Sequence, residues 1–406
     1  MTKKTLLFLS GGSLVAQFML TAIGARRELL RIIATNSIAE DPGLWAFDRV
    51  YLTPVTAATP NVFAERVLAI VAKENVDWIV PCRDDDVVAL GALVEQHPEL
   101  KSRSVGGSVA LTRMMSDKWL SYLFARENDL PFADSYHTES SESTDAFLAR
   151  NPYPLIAKPR DGFSSQGVVL IENREQFDRA VSQHNHVIEE YLGNPDEYWA
   201  FKRNMEEAGT PLFYTLHGIK HSIELMFDAE SRPAAPVFAS YNKQKFRSRD
   251  IWRNVEAATL AVGQRCYDVF SPLGWRGPLN VQCQLDRNGQ VKIHEFNGRY
   301  GALAAERALL GYDEVALGIE LFTGLRLAAT DWAEHPAAVA SARFLSSAAD
   351  PRDVAWLNTH GEWTPAVARG AHVSARSITA ICGTNSAIPE HISDAQLNHR
   401  PRLCQL

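Results

Sequence analysis

The sequence has no CxxC pair among its five cysteines (Cys82, Cys266, Cys283, Cys382 and Cys404), no GxxxxGK[ST] loop and no GxGxxG turn. An odd number of widely spaced cysteines gives neither a disulfide framework nor a thiolate zinc site. No apolar stretch approaches the ~20 residues of a membrane-crossing helix. The start, MTKKTLLFLSGG, has two lysines and a short apolar run but no clean small-residue cleavage site, so it reads as a first buried strand. Positive charge is not in excess. The net charge of -7 argues against nucleic acid as the main partner. A Cys/His or Ser/His/Asp constellation for covalent catalysis is also lacking, which argues against a built-in glutaminase. These absences point to a cytoplasmic protein with no membrane partner.

What is present is ordinary globular material: 406 residues, 46% hydrophobic and 22% charged, enough for two or three domains with their own cores. TLLFLS (5–10), RIIAT (31–35) and VDWIVP (76–81) are short apolar runs separated by helical patterns such as 61–73. Alternating strands and helices predict a doubly wound parallel sheet ending near residue 110. PCRDDDVVAL places Arg83 to Asp86 where a strand meets a helix. Such residues either bind a ligand or cap the helix and complement its positive end.

From 111 the pattern changes. A helix is expected from near Ser116 to before Pro131, with Lys118 in its first turn, where a cation opposes the dipole unless an anion faces it. YPLIAKPRDGFSSQGVVLI follows as a strand carrying Lys158, a small-residue turn (Asp161 to Gly167) and a second strand, a flap whose backbone N–H groups suit phosphates. An ordinary hairpin is the alternative. HVIEEYLGNPDEY (186–198) is a strand with Glu189, Glu190 and Leu192 spaced along a pocket edge, and 198–220 reads as an inserted helix and strand.

GPLNVQCQL (277–285), the turn DRNGQ and VKIHEFNGRYG form a predicted hairpin. Strand alternation puts Ile293, Glu295, Asn297 and Arg299 on one face and His294, Phe296 and Gly298 on the other. Glu295 and Asn297, with Gln282 across the hairpin, offer oxygen ligands to a hard divalent cation, and Arg299 suits a phosphate. A solvated polar edge is the bland alternative. The run YNKQKFRSRD offers Lys243, Lys245 and Arg247 either to an anion or to solvent.

In this order, SDK, PLIAKP with its loop, VIEEYL, GPLNVQCQ and HEFNGRYG resemble the ATP-grasp superfamily, which includes biotin carboxylase and the carbamoyl-phosphate synthetase large chain. The resemblance covers roughly residues 1–325. It implies an α/β chain: a Rossmann-like pre-ATP-grasp domain (1–110), a two-lobed α+β ATP-grasp domain (111–325, small lobe with flap about 125–190) and a small strand-rich unit (326–406). The cofactors it implies are ATP and Mg2+ (or Mn2+). Lys118 and Lys158 would contact phosphates under a flap holding Ser164, Ser165 and Gly167. Glu189, Glu190 and Leu192 would bracket adenine. Gln282, Glu295 and Asn297 would hold the metal, and Arg299 the phosphate or acyl phosphate. At the ribose, Glu197 and His221 compete, and HSIELMFD favours His221. Two departures stand out: Asn297-Gly298-Arg299 replaces the usual Asn-Pro-Arg, and the flap carries Phe163 and Gln166.

The resemblance implies an ATP-dependent carboxylate–amine ligase acting on a small-molecule carboxylate and amine through an acyl phosphate. The alternatives are a bicarbonate-dependent carboxylase or carbamoyl-phosphate-type enzyme, a small-molecule kinase and a non-catalytic nucleotide-binding module. No biotin-attachment Met-Lys-Met appears in the terminal segment. Related enzymes are often dimers, so a homodimer is the assembly the resemblance offers.

Overall fold

The first strand, β1 (Lys4–Leu9), is completely buried from Leu6 to Leu9, as expected of a strand covered on both faces by helices. It lies between the parallel strands β2 (Leu30–Asn36) and β4 (Trp78–Pro81), with β3 (Arg49–Leu52) outside β2. The connections are α1 (Leu14–Ile23), α2 (Pro60–Glu74) and α3 (Asp84–Gln96). The computed structural model describes residues 2–56, 58–162, 166–210, 219–244, 249–328, 337–341 and 349–366. Because β1 and β4 are neighbours, the turns at their carboxyl ends meet, and Ser10 Oγ donates to Asp86 Oδ1 at 3.0 Å.

After α4 (Val109–Ser116), Asp117 starts a new helix, α5 (Lys118–Glu127), by accepting from the backbone N–H groups of Trp119 and Leu120. The small lobe is a four-stranded antiparallel sheet. Its strands β5 (Ser135–Tyr136), β6 (Leu155–Pro159), β7 (Val169–Ile171) and β8 (His186–Glu190) run in the order β5-β8-β6-β7. With α6 (Thr144–Arg150) and α7 (Arg174–Val181) it encloses a core that includes Phe147, Phe177 and Ile188. The insertion opens with α8 (Pro195–Ala208), where Tyr198 and Lys202 both bond Glu172 just beyond β7.

The large lobe is a six-stranded antiparallel sheet made of β9 (Lys220–Phe227), β10 (Phe238–Gln244), β11 (Arg249–Asn254), β12 (Gly277–Leu285), β13 (Val291–Asn297) and β14 (Ala338–Ser341). The order is β13-β12-β9-β10-β11-β14. Three helices accompany it: α9 (Ala257–Phe270), α10 (Ala304–Leu309) and α11 (Glu314–Thr323). Phe296 of β13 packs among Phe124, Phe132 and Phe270, which defines the apolar side of the sheet at this edge. The basic run divides between β10 and β11, and Lys243 is exposed; Lys245 and Arg247 lie outside the described residues.

The described part of the last segment joins sheets already present. β14 pairs with β11, and after α12 (Pro351–His360) the short β15 (Glu362–Trp363) adds antiparallel to β3. The expected strands RFLSS and SITAICGT lie outside the described residues. No helix among the described residues is long and apolar enough to cross a membrane.

Candidate active site

The β12–β13 hairpin carries the centre of the site. Asp286 closes its turn by accepting from the backbone N–H groups of Asn288 and Gln290. The register then pairs Cys283 with Ile293 but Gln282 with Glu295, so one extra residue, His294, is inserted as a β-bulge. This corrects the expected face of Ile293. The bulge breaks the alternation, leaving Ile293 with Cys283 in the core while Glu295 joins Gln282 on the opposite face. Asn297 lies opposite Asn280 on that same polar face.

Gln282 and Glu295 are half-buried and make no side-chain hydrogen bond or ion pair among the described residues, whereas Asn297 is fully buried. One carboxylate and two amide oxygens match the preference of a hard cation such as Mg2+ that takes its remaining ligands from water and phosphates. The described residues contain no cluster of three His, Cys, Asp or Glu side chains able to hold a metal alone. The residues therefore fit a metal that arrives with a nucleotide.

The small lobe contributes Lys158 from β6. Its Nζ lies 2.7 Å from Glu189 Oε2 and donates at 3.2 Å to the backbone carbonyl of His294, the bulge residue. Lys118 Nζ donates to the carbonyl of Gly162 at 3.0 Å, tying the start of α5 to the stem of the flap. The cation in this first helical turn is offset by Asp117 beside it, which also pairs with Arg160. Burial, then Lys158, Lys220 and Lys118, pull the His294 imidazole down to about 3, so it stays neutral among three ammonium groups. That concentration of positive charge suits a polyphosphate.

The two glutamates of β8 are placed differently from each other. Glu189 is the buried partner of Lys158, and its second oxygen, Oε1, is buried without a hydrogen bond. Burial raises its carboxyl above the usual range despite Lys158. Glu190 is occupied by the backbone N–H of Asp134 at 2.8 Å, and Leu192 is half-buried beyond the strand. In the flap, Ser164 and Ser165 lie outside the described residues. Gly167 has φ 73°, and a Cβ there would come 2.9 Å from Pro159 Cγ, so only glycine fits.

His221 is not on the site face. It pairs with Cys283 and its ring lies tilted against Tyr241, whereas Ser222 pairs with Gln282 and Lys220 lies two residues back on the Gln282 side. The strand register, one residue out from the sequence expectation, makes Lys220 and Ser222 the residues of β9 that share the polar face. Glu197 sits in the first turn of α8.

Arg299 is held by the start of α3. Asp84, the first residue of α3, accepts from Nε at 2.9 Å and from Nη2 at 3.1 Å, while Nη2 also donates to Asn297 Oδ1 at 3.0 Å. Its neighbour Asp86 takes the capping role, accepting from the backbone N–H of Arg83. The capping reading of the RDDD stretch thus holds for Asp86, while Asp84 is engaged by Arg299. Gly298, where proline is usual, is needed because any Cβ would overlap the Trp275 ring.

Residues 115–195 match the family of the ATP-grasp domain. The chain has the ATP-grasp fold. Among solved structures it is similar to N5-carboxyaminoimidazole synthetase from Staphylococcus aureus complexed with ADP, at 14% identity and TM-score 0.57, covering 80% of this chain and 79% of that one. L-amino acid ligase from Bacillus licheniformis is similar at 16% identity and TM-score 0.55, covering 80% and 76%. The biotin carboxylase–beta-gamma-ATP complex from Campylobacter jejuni is similar at 15% identity and TM-score 0.56, covering 80% and 72%. No curated protein matches the sequence. Lys220 and Asn280 share the polar face with Gln282 and were not singled out from the sequence. For Lys220 the signal was present in strand parity, counted two residues back from Ser222.

Proposed function

We propose that the chain is an ATP-dependent carboxylate–amine ligase that forms an amide bond and releases ADP and phosphate. The observation that carries this reading is the convergence of Gln282, Glu295 and Asn297 on one face of β12–β13 with Lys158 and Arg299 at its borders. Lys118, Lys158 and Lys220 would take the phosphate oxygens of ATP, leaving the γ-phosphoryl group over the hairpin. Gln282, Glu295 and Asn297 would hold Mg2+, which when bound neutralises phosphate charge.

A substrate carboxylate oxygen attacks the γ-phosphorus, the bond to the β-phosphate oxygen breaks, and ADP leaves. The amine then attacks the acyl carbon. Arg299 faces the oxygen that becomes negative in the tetrahedral intermediate, and collapse expels inorganic phosphate as the amine nitrogen loses a proton. The flap between β6 and β7 excludes water from the acyl phosphate. No side-chain nucleophile enters the sequence of steps.

A second reading takes bicarbonate as the acid. It is supported by fold similarity to N5-carboxyaminoimidazole synthetase and biotin carboxylase, at TM-scores 0.57 and 0.56, against 0.55 for the amino acid ligase. Acids labelled with 18O separate the readings: a ligase transfers label from a carboxylic acid to phosphate only when ATP is consumed and yields an amide with the amine. Label transfer from bicarbonate alone supports the carboxylase, and hydrolysis without label transfer contradicts both.

A further inference from the structure

Behind the polar face of β13 lies a buried chain of hydrogen bonds whose inner members, Arg307, Glu314, Glu224 and Asn280, take no part in the proposed chemistry. Its inner end is Arg307 of α10, whose side chain is 1% exposed. Nη1 lies 3.1 Å from Glu224 Oε1, and Nε donates to Glu314 Oε1 at 2.8 Å. Glu224 also accepts from Asn280 Nδ2 at 2.7 Å. Asn280 Oδ1 in turn faces Asn297 Nδ2 at 3.5 Å, and Asn297 Oδ1 accepts from Arg299.

The direction of every link follows from the two ends. Arg307 can only donate, so Glu224 Oε1, 3.1 Å from its Nη1, is an acceptor, and it is this same oxygen that Asn280 faces. Asn280 must therefore turn its NH2 toward Glu224, which leaves its oxygen toward Asn297. Asn297 must then turn its own NH2 inward. Its oxygen is left facing the site, where Arg299 also demands an acceptor. An amide rotated by half a turn would present NH2 to a cation and to a guanidinium, which are both repelled by it. A fully buried amide cannot appeal to water to settle its orientation.

We propose that Glu224 and Asn280 are positioning residues that fix the amide of Asn297 with its oxygen in the site. The proposal rests on the ligase reading only in taking Asn297 as a metal ligand. Asn280 is buried between Glu224 and Asn297 and acts through the polarity of the chain.

A double-mutant cycle tests this with Mn2+ as the probe. Mn2+ affinity in the presence of ADP is read by electron paramagnetic resonance, and metal-free ADP affinity by calorimetry. Asn280→Ala is expected to weaken Mn2+ about tenfold while leaving metal-free ADP binding within about twofold. In an Asn297→Asp background the same substitution is expected to have no such effect, because a carboxylate offers oxygen whichever way it turns. Should Asn280→Ala fail to fold, Asn280→Ser, too short to span both neighbours, takes its place in the cycle. Equal losses in both backgrounds, or an unchanged Mn2+ affinity, would overturn the positioning role. Wild-type protein that binds ADP but gains no Mn2+ site overturns instead the assignment of Gln282, Glu295 and Asn297, and the role of Asn280 with it.

Discussion

Asp84 and Arg299, 215 residues apart, form a two-bond ion pair that joins the start of α3 to the segment just beyond β13. The fork of the guanidinium matches the carboxylate, so the pair fixes the plane of Arg299 as well as its place. Asp84→Ala is expected to lower kcat for phosphate release by about 10- to 100-fold, the range for a misplaced charge-stabilising group. The KM for ATP should change by less than about twofold, and Asp84→Glu should recover part of kcat. Steady-state kinetics with varied ATP decides it; an unchanged kcat removes Asp84 from the catalytic geometry.

Lys158 and Glu189 form a buried pair whose two members are expected to play separable parts. Lys158→Met leaves a buried carboxylate without its cation, a loss of about 3–5 kcal/mol for pairs of this kind. Adding Glu189→Gln should restore much of that stability without restoring turnover, because the phosphate cation is still missing. Denaturant melts and phosphate release on the single and double variants test this. A double variant that regains activity would show that Lys158 has only a structural task.

Stability should depend on pH through Asp86. Burial, then Asp85, raises its carboxyl to about 7, against the bonds from Ser10 and the Arg83 backbone that favour the charged form. An acid whose folded value lies above its unfolded value of about 3.9 costs no stability below pH 4, loses it progressively from there to pH 7, and levels off beyond. Wild type should therefore lose stability relative to Asp86→Asn as pH rises from 5 to 8. Urea midpoints across that range check the sign, and parallel curves for the two proteins would contradict it.

Much of this site is legible in the sequence where it depends on neighbours along the chain. The β12–β13 hairpin follows from a turn flanked by alternating strands. The bulge at His294 does not, because one inserted residue leaves no compositional mark and yet sends Ile293 to the core. His221 was displaced from the site by the same period-two rule, since a strand read one residue out of phase exchanges its faces. Asp84 and Asn280 are set by contacts across 215 and 17 residues, which a local pattern does not encode. Gly298 is explained by Trp275, a side chain that fills the space above it.

Gly167 gives a prediction about the flap alone. At φ 73°, with Pro159 against the site of any Cβ, Gly167→Ala is expected to cost about 1–3 kcal/mol of local strain. The flap would close less often, so the KM for ATP should rise while Lys158 and its partners stay in place. Protease nicking within residues 161–168 should quicken in the variant and be suppressed less by ATP. Equal nicking rates in the two proteins would contradict the role given to this glycine.

The most direct test of the account is phosphate release from Mg-ATP with pooled carboxylic acids, with and without pooled amines, in wild type and Glu295→Gln. Wild type should release phosphate only when both pools are present, with a new amide detectable by mass, and Glu295→Gln should abolish release while still binding ADP without metal. Release that survives in Glu295→Gln, or that no combination of acid and amine provokes in wild type, would contradict the ligase.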